Sequence, residues 1–257
     1  MLLFVSGAQA VYGYVVCIDP GHGGPDSGAR GPTGLKEKDV NLDIALLLED
    51  ILENNGYEVV LTRDIDTEVN NPPGDLTGDG IITHSDELMA RCNIANENGA
   101  DIFVSIHNNA SLNTSATGTE TYYHPESIFG RVLAQCVQEE LVSALSLFNR
   151  GVKTANFYVL NYTDMPAILV ESAFISNPEE EELLRQDEFK EEIALGIFNG
   201  IKKFRNTTIP RIGGKDRYET SIFISQTGWE VSHVIYLTTG ENFPDALCSG
   251  PLAYKHN

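Results

Sequence analysis

The apolar positions change period twice within the first sixty residues. Tyr14 to Ile18 is a mostly apolar, β-branched run that predicts a buried strand, and Val40, Ile44, Leu47, Leu48, Ile51 and Leu52 then recur at helical spacing. Asn55-Gly56 is a helix stop, and "YEVVLTR" beyond it predicts a second strand. Strand, helix and strand in that order make a βαβ unit with a parallel pair and a right-handed crossover. Next come a helix from about Asp86 to Asn98 ended by Gly99, a strand over "DIFVSIHNNA" and a short strand over "GTETYYH". A long amphipathic helix carries Phe129, Leu133, Val137, Leu141 and Leu145 along one stripe. "NFYVL" and "PAILVESAF" predict two further strands. Asn177-Pro178 reads as the N-cap and first residue of an acidic helix, and "DEFKEEIALGIFNGIKKF" predicts a closing helix ending near Arg205. The expected fold is α/β, with a mixed, mainly parallel twisted sheet and helices on both faces.

The two ends of the chain differ from this pattern. "MLLFVSGAQA", residues 1–10, has an apolar start and an Ala8-Gln9-Ala10 that suits signal cleavage, so it reads as the stump of an export signal, with the start of the first strand as the alternative. The main domain is expected over 11–205, followed by a short polar linker at 206–210. Residues 211–257 predict one helical segment, one strand over "HVIYLTT" and a turn, too little for an independent core.

Composition narrows the choice of partners. Among 257 residues, 42% are hydrophobic and 21% charged, the balance of a globular chain. The formal net charge of −20 argues against a nucleic-acid partner, because phosphate contacts need clustered Lys and Arg. No apolar run approaches the ~20 residues that span a bilayer, so no transmembrane segment is expected. Cys17, Cys92, Cys136 and Cys248 show no metal-ligand spacing, and Cys17 and Cys136 fall in apolar-periodic segments, where a thiol serves as a small core residue.

Candidate chemistry gathers at one edge of the expected sheet. Open α/β sheets bind ligands beyond the carboxyl ends of their strands. His22 follows the first strand, His107 ends the third, Glu171 ends "AILVE", and Glu37 opens the first helix. Two imidazoles and a carboxylate are a catalytic zinc set that leaves a fourth position for water. The glycines around His22 allow close backbone approach, and Asp19 is placed to orient the imidazole. Each residue alone has a plainer reading: a turn, a strand-end histidine, a carboxylate favoured by the helix dipole, a cap.

"IDPGHGGPDSGA", "EKDVNLDIA", "GYEVVLTR", "RCNIANENGADIFVSIHNNA" and "ILVESAFISN" resemble, in order and spacing, the zinc-dependent N-acetylmuramoyl-L-alanine amidases of bacterial cell walls, from about Val15 to Phe204. The resemblance implies zinc held by His22, Glu37 and His107, Glu171 as catalytic acid/base, and peptidoglycan as substrate. Asn109 and Arg91 are candidates for contacting substrate or supporting the ligands, with structural roles equally open. The tail, "RIGGKDRYETSIFIS" and "GENFPDALCSGPLAYK", resembles the start of a clostridial-type cell-wall-binding repeat, which implies anionic wall polymers as partners of a secreted or wall-bound protein.

An insertion at 64–86 departs from the amidase pattern. Within it Asp75, Thr77, Asp79, Gly80, Ile81, Thr83 and Asp86 stand at positions one, three, five, six, seven, nine and twelve of an EF-hand loop, resembling the loops of dockerin modules and predicting Ca2+. A plain Asp-Gly turn is the alternative there. For the whole chain two rivals remain: a zinc carboxypeptidase or deacetylase acting on the wall, and a wall-binding protein without turnover.

Overall fold

β1 (Val15–Pro20) is buried along nearly its whole length, as a central parallel strand must be. It belongs to a computed structural model that describes residues 13–70 and 72–207. The chain divides after Asn206, and the fold below is that of the first unit. The export-signal stump, Cys248 and the repeat at 211–257 lie outside the described residues.

After β1 come α1 (Glu37–Asn54), β2 (Glu58–Leu61), α2 (His84–Glu97), β3 (Ile102–Asn109), β4 (Thr119–Tyr123) and α3 (Ile128–Leu145). β5 (Asn149–Thr154), α4 (Tyr158–Asn161), β6 (Ala167–Phe174), α5 (Pro178–Leu184) and α6 (Asp187–Asn206) complete the unit. The six strands form one sheet in the order β2-β1-β3-β6-β4-β5. β2, β1, β3 and β6 run parallel, β4 lies antiparallel to β6, and β5 is parallel to β4. The sheet is therefore mixed and mainly parallel.

Two apolar clusters cover its faces. On one, α1, α3 and α6 bury Ile44, Leu48, Leu133, Leu141, Ile193 and Ile197 against the strands. The closeness of α3 and α6 depends on Gly200, where a Cβ would come within 2.4 Å of Val137 Cα. The other cluster joins Cys17, Cys92, Phe103, Val159, Leu160 and Leu169. Cys17 and Cys92 are fully buried thiols, serving as small packing groups.

Helix signals behave as their chemistry requires. Asn177 caps α5 by accepting from the amides of Glu179 and Glu180, with Pro178 at the first position. Three features differ from the sequence pattern. "NFYVL" predicts a strand, yet Tyr158–Asn161 is a helical turn that carries Val159 and Leu160 into the second cluster, so burial overrides β-propensity. β5 has no apolar alternation because it is an edge strand, half-buried and carrying Arg150 and Lys153. Phe129, the first member of the α3 stripe, is 46% exposed at the frayed start of the buried face.

Candidate metal centre

The loop after β1 turns back on itself through a bridge between Gly23 and Asp26. That turn puts His22 at φ 62°, a left-handed conformation that costs a non-glycine residue about 1–2 kcal/mol. Surrounding bonds hold it there. Its Nδ1 meets Asp26 Oδ2 at 2.7 Å, which turns Nε2 toward Glu37 Oε2 at 3.2 Å. Glu37, the first residue of α1, is only 4% exposed. Its Oε1 faces His107 Nδ1 at 3.0 Å, and its Oε2 accepts from the Ala29 amide at 2.8 Å. His22, Glu37 and His107 thus converge, each offering a ligand atom within 4.8 Å of the others.

Space around the trio is matched to it. A Cβ on Gly21 would sit 2.2 Å from the His107 ring, and one on Gly28 would sit 2.6 Å from both Glu37 Oε2 and His22 Cδ2. Burial would lower the His22 pKa, but bonding to Glu37 and Asp26 outweighs it and lifts the value to about 8. Burial likewise opposes ionisation of Glu37, yet the two imidazoles hold its carboxyl far below the usual range. A carboxylate and two imidazoles turned to one point have the donor chemistry to hold a divalent metal ion.

Glu171 faces this trio across the sheet. It is in register with His107 on β3 and with Glu120 on β4, so all three side chains share one face. Its Oε2 is buried and has no hydrogen-bond partner. Burial, then the charges of Glu37 and Glu120, push its pKa well above the ordinary carboxyl value. A cavity of about 300 Å³ opens here, lined by His22, His107 and Glu171 together with Leu88, Phe157 and Val159. The group is a buried, proton-hungry carboxyl beside a three-donor cluster, with room for a ligand.

A family model described as N-acetylmuramoyl-L-alanine amidase matches residues 16–203, most of the chain. The chain belongs to this family. A second model, cell wall binding domain 2, matches residues 211–257. The N-acetylmuramoyl-L-alanine amidase LytC of Bacillus subtilis is 41% identical over 196 residues, covering 76% of this chain and 36% of that protein. The germination-specific N-acetylmuramoyl-L-alanine amidase of the same organism is 32% identical over 197 residues, covering 75% of this chain and 80% of that one. Among solved structures, an N-acetylmuramoyl-L-alanine amidase from Clostridium difficile 630 superposes with a TM-score of 0.67 at 37% identity, covering 76% of this chain and 98% of that chain.

Within the amidase domain, Asp19 departs from its expected role, whereas Arg91 supports the loop that carries His22. Asp19 does not orient His22; it is 1% exposed and accepts from Thr62, Arg91 and Ser105. Asp26, four residues after His22, makes the orienting contact. Arg91 also lines the cavity, but its guanidinium is spent on Asp19, Glu87 and the carbonyls of Pro20 and His22. Arg63 complements it from the end of β2, donating to the carbonyls of Pro20, Gly21 and Lys38. Two buried guanidiniums therefore clamp the strained loop. Asn109 donates to Glu120 Oε1 at 2.8 Å and so stands one strand away from Glu171's carboxyl.

The insertion is closed by its own hydrogen bonds. Asp75 accepts from the amides of Gly78, Asp79 and Gly80, and Asp79 accepts from Ile81. Thr83 and Asp86 form a capping box for α2. Asp86 Oδ1 takes the Leu76 and Thr77 amides and the Thr77 hydroxyl, while Oδ2 takes the Thr83 amide and hydroxyl. The position-twelve carboxylate is thus spent on backbone and hydroxyl donors. This geometry gives the calcium expectation no support.

Proposed function

We propose that the chain is a zinc-dependent N-acetylmuramoyl-L-alanine amidase that cleaves the amide between N-acetylmuramic acid and L-alanine of the peptidoglycan stem. The observation that carries the reading is the convergence of His22, Glu37 and His107 beside the unpartnered carboxyl of Glu171. The three would hold zinc through His22 Nε2, His107 Nδ1 and the Glu37 carboxylate. When bound, zinc supplies Lewis-acid activation of water and of the scissile carbonyl.

The remaining work falls to this chain's own side chains. Glu171 accepts the proton of the attacking water and returns it to the leaving alanine nitrogen, the two halves of general acid/base catalysis. Its raised proton affinity suits both, since a carboxyl poised nearer neutrality takes and gives a proton at working pH. Asp26 fixes the His22 ring, and Arg91 and Arg63 fix the loop that carries it. Leu88, Phe157 and Val159 line the same cavity with apolar surface that limits water there.

We assign the domain limits as 11–205 for the amidase, with the insertion at 64–86, 206–210 for a linker and 211–257 for a wall-binding repeat whose ligand is an anionic wall polymer. A substrate outside the cell membrane fits a secreted, wall-associated protein. The test pairs metal analysis with digestion of purified peptidoglycan by the full chain. One zinc per chain and new L-alanine amino termini, without acetate or C-terminal D-alanine, are expected. Full activity in a sample stripped of transition metal, or products of another bond, would overturn the reading.

A further inference from the structure

Beyond Glu171 the sheet carries a second polar cluster, built around Glu120 of β4. Its carboxylate side chain is 3% exposed and takes four donors. Asn109 Nδ2 and the Tyr122 hydroxyl reach Oε1 at 2.8 and 2.6 Å, Arg150 Nε reaches Oε2 at 2.7 Å, and Lys153 Nζ bonds the same oxygen. One carboxylate therefore meets two cations, and the cluster keeps a net positive charge in a chain whose formal charge is −20.

The two cations also retain free donors. Lys153 has three N–H groups and spends one on Glu120; Arg150 spends Nε on Glu120 and Nη1 on the Thr117 carbonyl. Among the described residues no acceptor meets Arg150 Nη2 or the other Lys153 protons. Their side chains are 30% and 37% exposed, open enough for a ligand.

Register gives the placement. Glu171 pairs with Glu120, and the next row of the same face runs Leu169, Tyr122, Lys153. Leu169 lines the cavity, and Tyr122 packs edge-on against Phe157, another cavity wall, at 5.2 Å between centroids. β5 stands two strand spacings from β6, roughly 10 Å, and its cations reach back to Glu120 on β4, one spacing of roughly 5 Å from β6. In an extended peptide the α-carboxyl of the second residue lies about 7 Å from the first nitrogen, a reach that falls between these two limits.

We propose that Arg150 and Lys153, held by Glu120, form a carboxylate-binding subsite for the second residue of the stem peptide. The subsite makes the enzyme distinguish a free α-carboxyl at that residue from an amidated one. The inference rests on the amidase reading and assigns that site its charge preference.

Calorimetric titration of the zinc-loaded full chain carrying Glu171→Gln tests it without turnover. The ligands are N-acetylmuramoyl-L-alanyl-D-glutamate and its D-isoglutamine counterpart, which differ only at that carboxyl. The acid is expected to bind about tenfold more tightly, the worth of one hydrogen bond to a charged group. Adding Lys153→Gln should bring the ratio to about one, and Lys153→Arg should preserve it. Equal binding of the two ligands, no binding of the acid, or a ratio indifferent to Lys153→Gln overturns the subsite. Amine release from peptidoglycan by the unsubstituted chain is measured in parallel. If release is present and the ratio is one, only the subsite falls; if release is absent, the amidase reading falls with it.

Discussion

Replacing Glu171 by Gln should make the protein more stable and nearly inactive at once. The side chain keeps its shape and loses its proton chemistry. Removing a general acid/base costs 10²–10⁴ in rate, about 3–5 kcal/mol of transition-state stabilisation. Stability moves the other way. Glu171 is a carboxyl whose folded pKa is raised, by burial first and then by Glu37 and Glu120. Such a group destabilises the fold progressively as pH rises above its unfolded value near 4.3, by about 1.4 kcal/mol for each pH unit up to the folded value. Gln resembles the protonated acid and removes that dependence. Thermal melts of metal-stripped wild type and variant between pH 4 and 8, with amine-release assays on the reloaded proteins, read both effects. The Tm difference should be near zero at pH 4 and grow in the variant's favour toward neutrality. Parallel melting curves at all pH values would refute the burial argument, and more than a tenth of wild-type activity would refute the catalytic role.

Three further outcomes follow from the site. Gly21→Ala, whose Cβ would enter the His107 ring space at 2.2 Å, should lower zinc content well below one per chain in metal analysis while circular dichroism stays native. Because the metal-free His22 has a pKa of about 8, zinc must displace a proton at lower pH. Its affinity by competitive chelation should rise about tenfold per pH unit up to pH 8 and then level. The same raised pKa stabilises the metal-free fold below pH 6.5, and that contribution fades as pH climbs through 8. Millimolar calcium should leave Tm unchanged, since the insertion's carboxylates are already bonded; a rise abolished by Asp79→Ala would restore the calcium reading.

Much of this was legible in the residues, for definable reasons. Apolar period marked β1, α1, β3 and β6 because their burial is long and regular, and strand ends plus one helix start named His22, His107, Glu171 and Glu37. The supporting groups were hidden because they act through backbone carbonyls, which leave no mark in a side-chain pattern. Arg63 looks like the polar end of a strand, yet it clamps the His22 loop. Asp19 is spent on Thr62, Arg91 and Ser105, and Asp26, an ordinary loop aspartate, holds the ring. Glu180 and Glu181 belong to the segment whose pattern marks it only as an acidic helix. In fact they are 2% and 1% exposed and bind amides of Gly118 and Phe174, and of Thr33 and Leu35. The Asp75–Asp86 spacing was real as a pattern, but helix capping uses the same Thr and Asp.

β4 runs against its neighbour β6, and this reversal shapes the rim of the cleft. The connection 110–118 leaves the carboxyl end of β3 and enters β4 on that same border, where the turn after β1 also emerges. Two spans with independent anchors thereby border one edge of the sheet, so 110–118 can change length while the strands bearing His107 and Glu171 stay where they are.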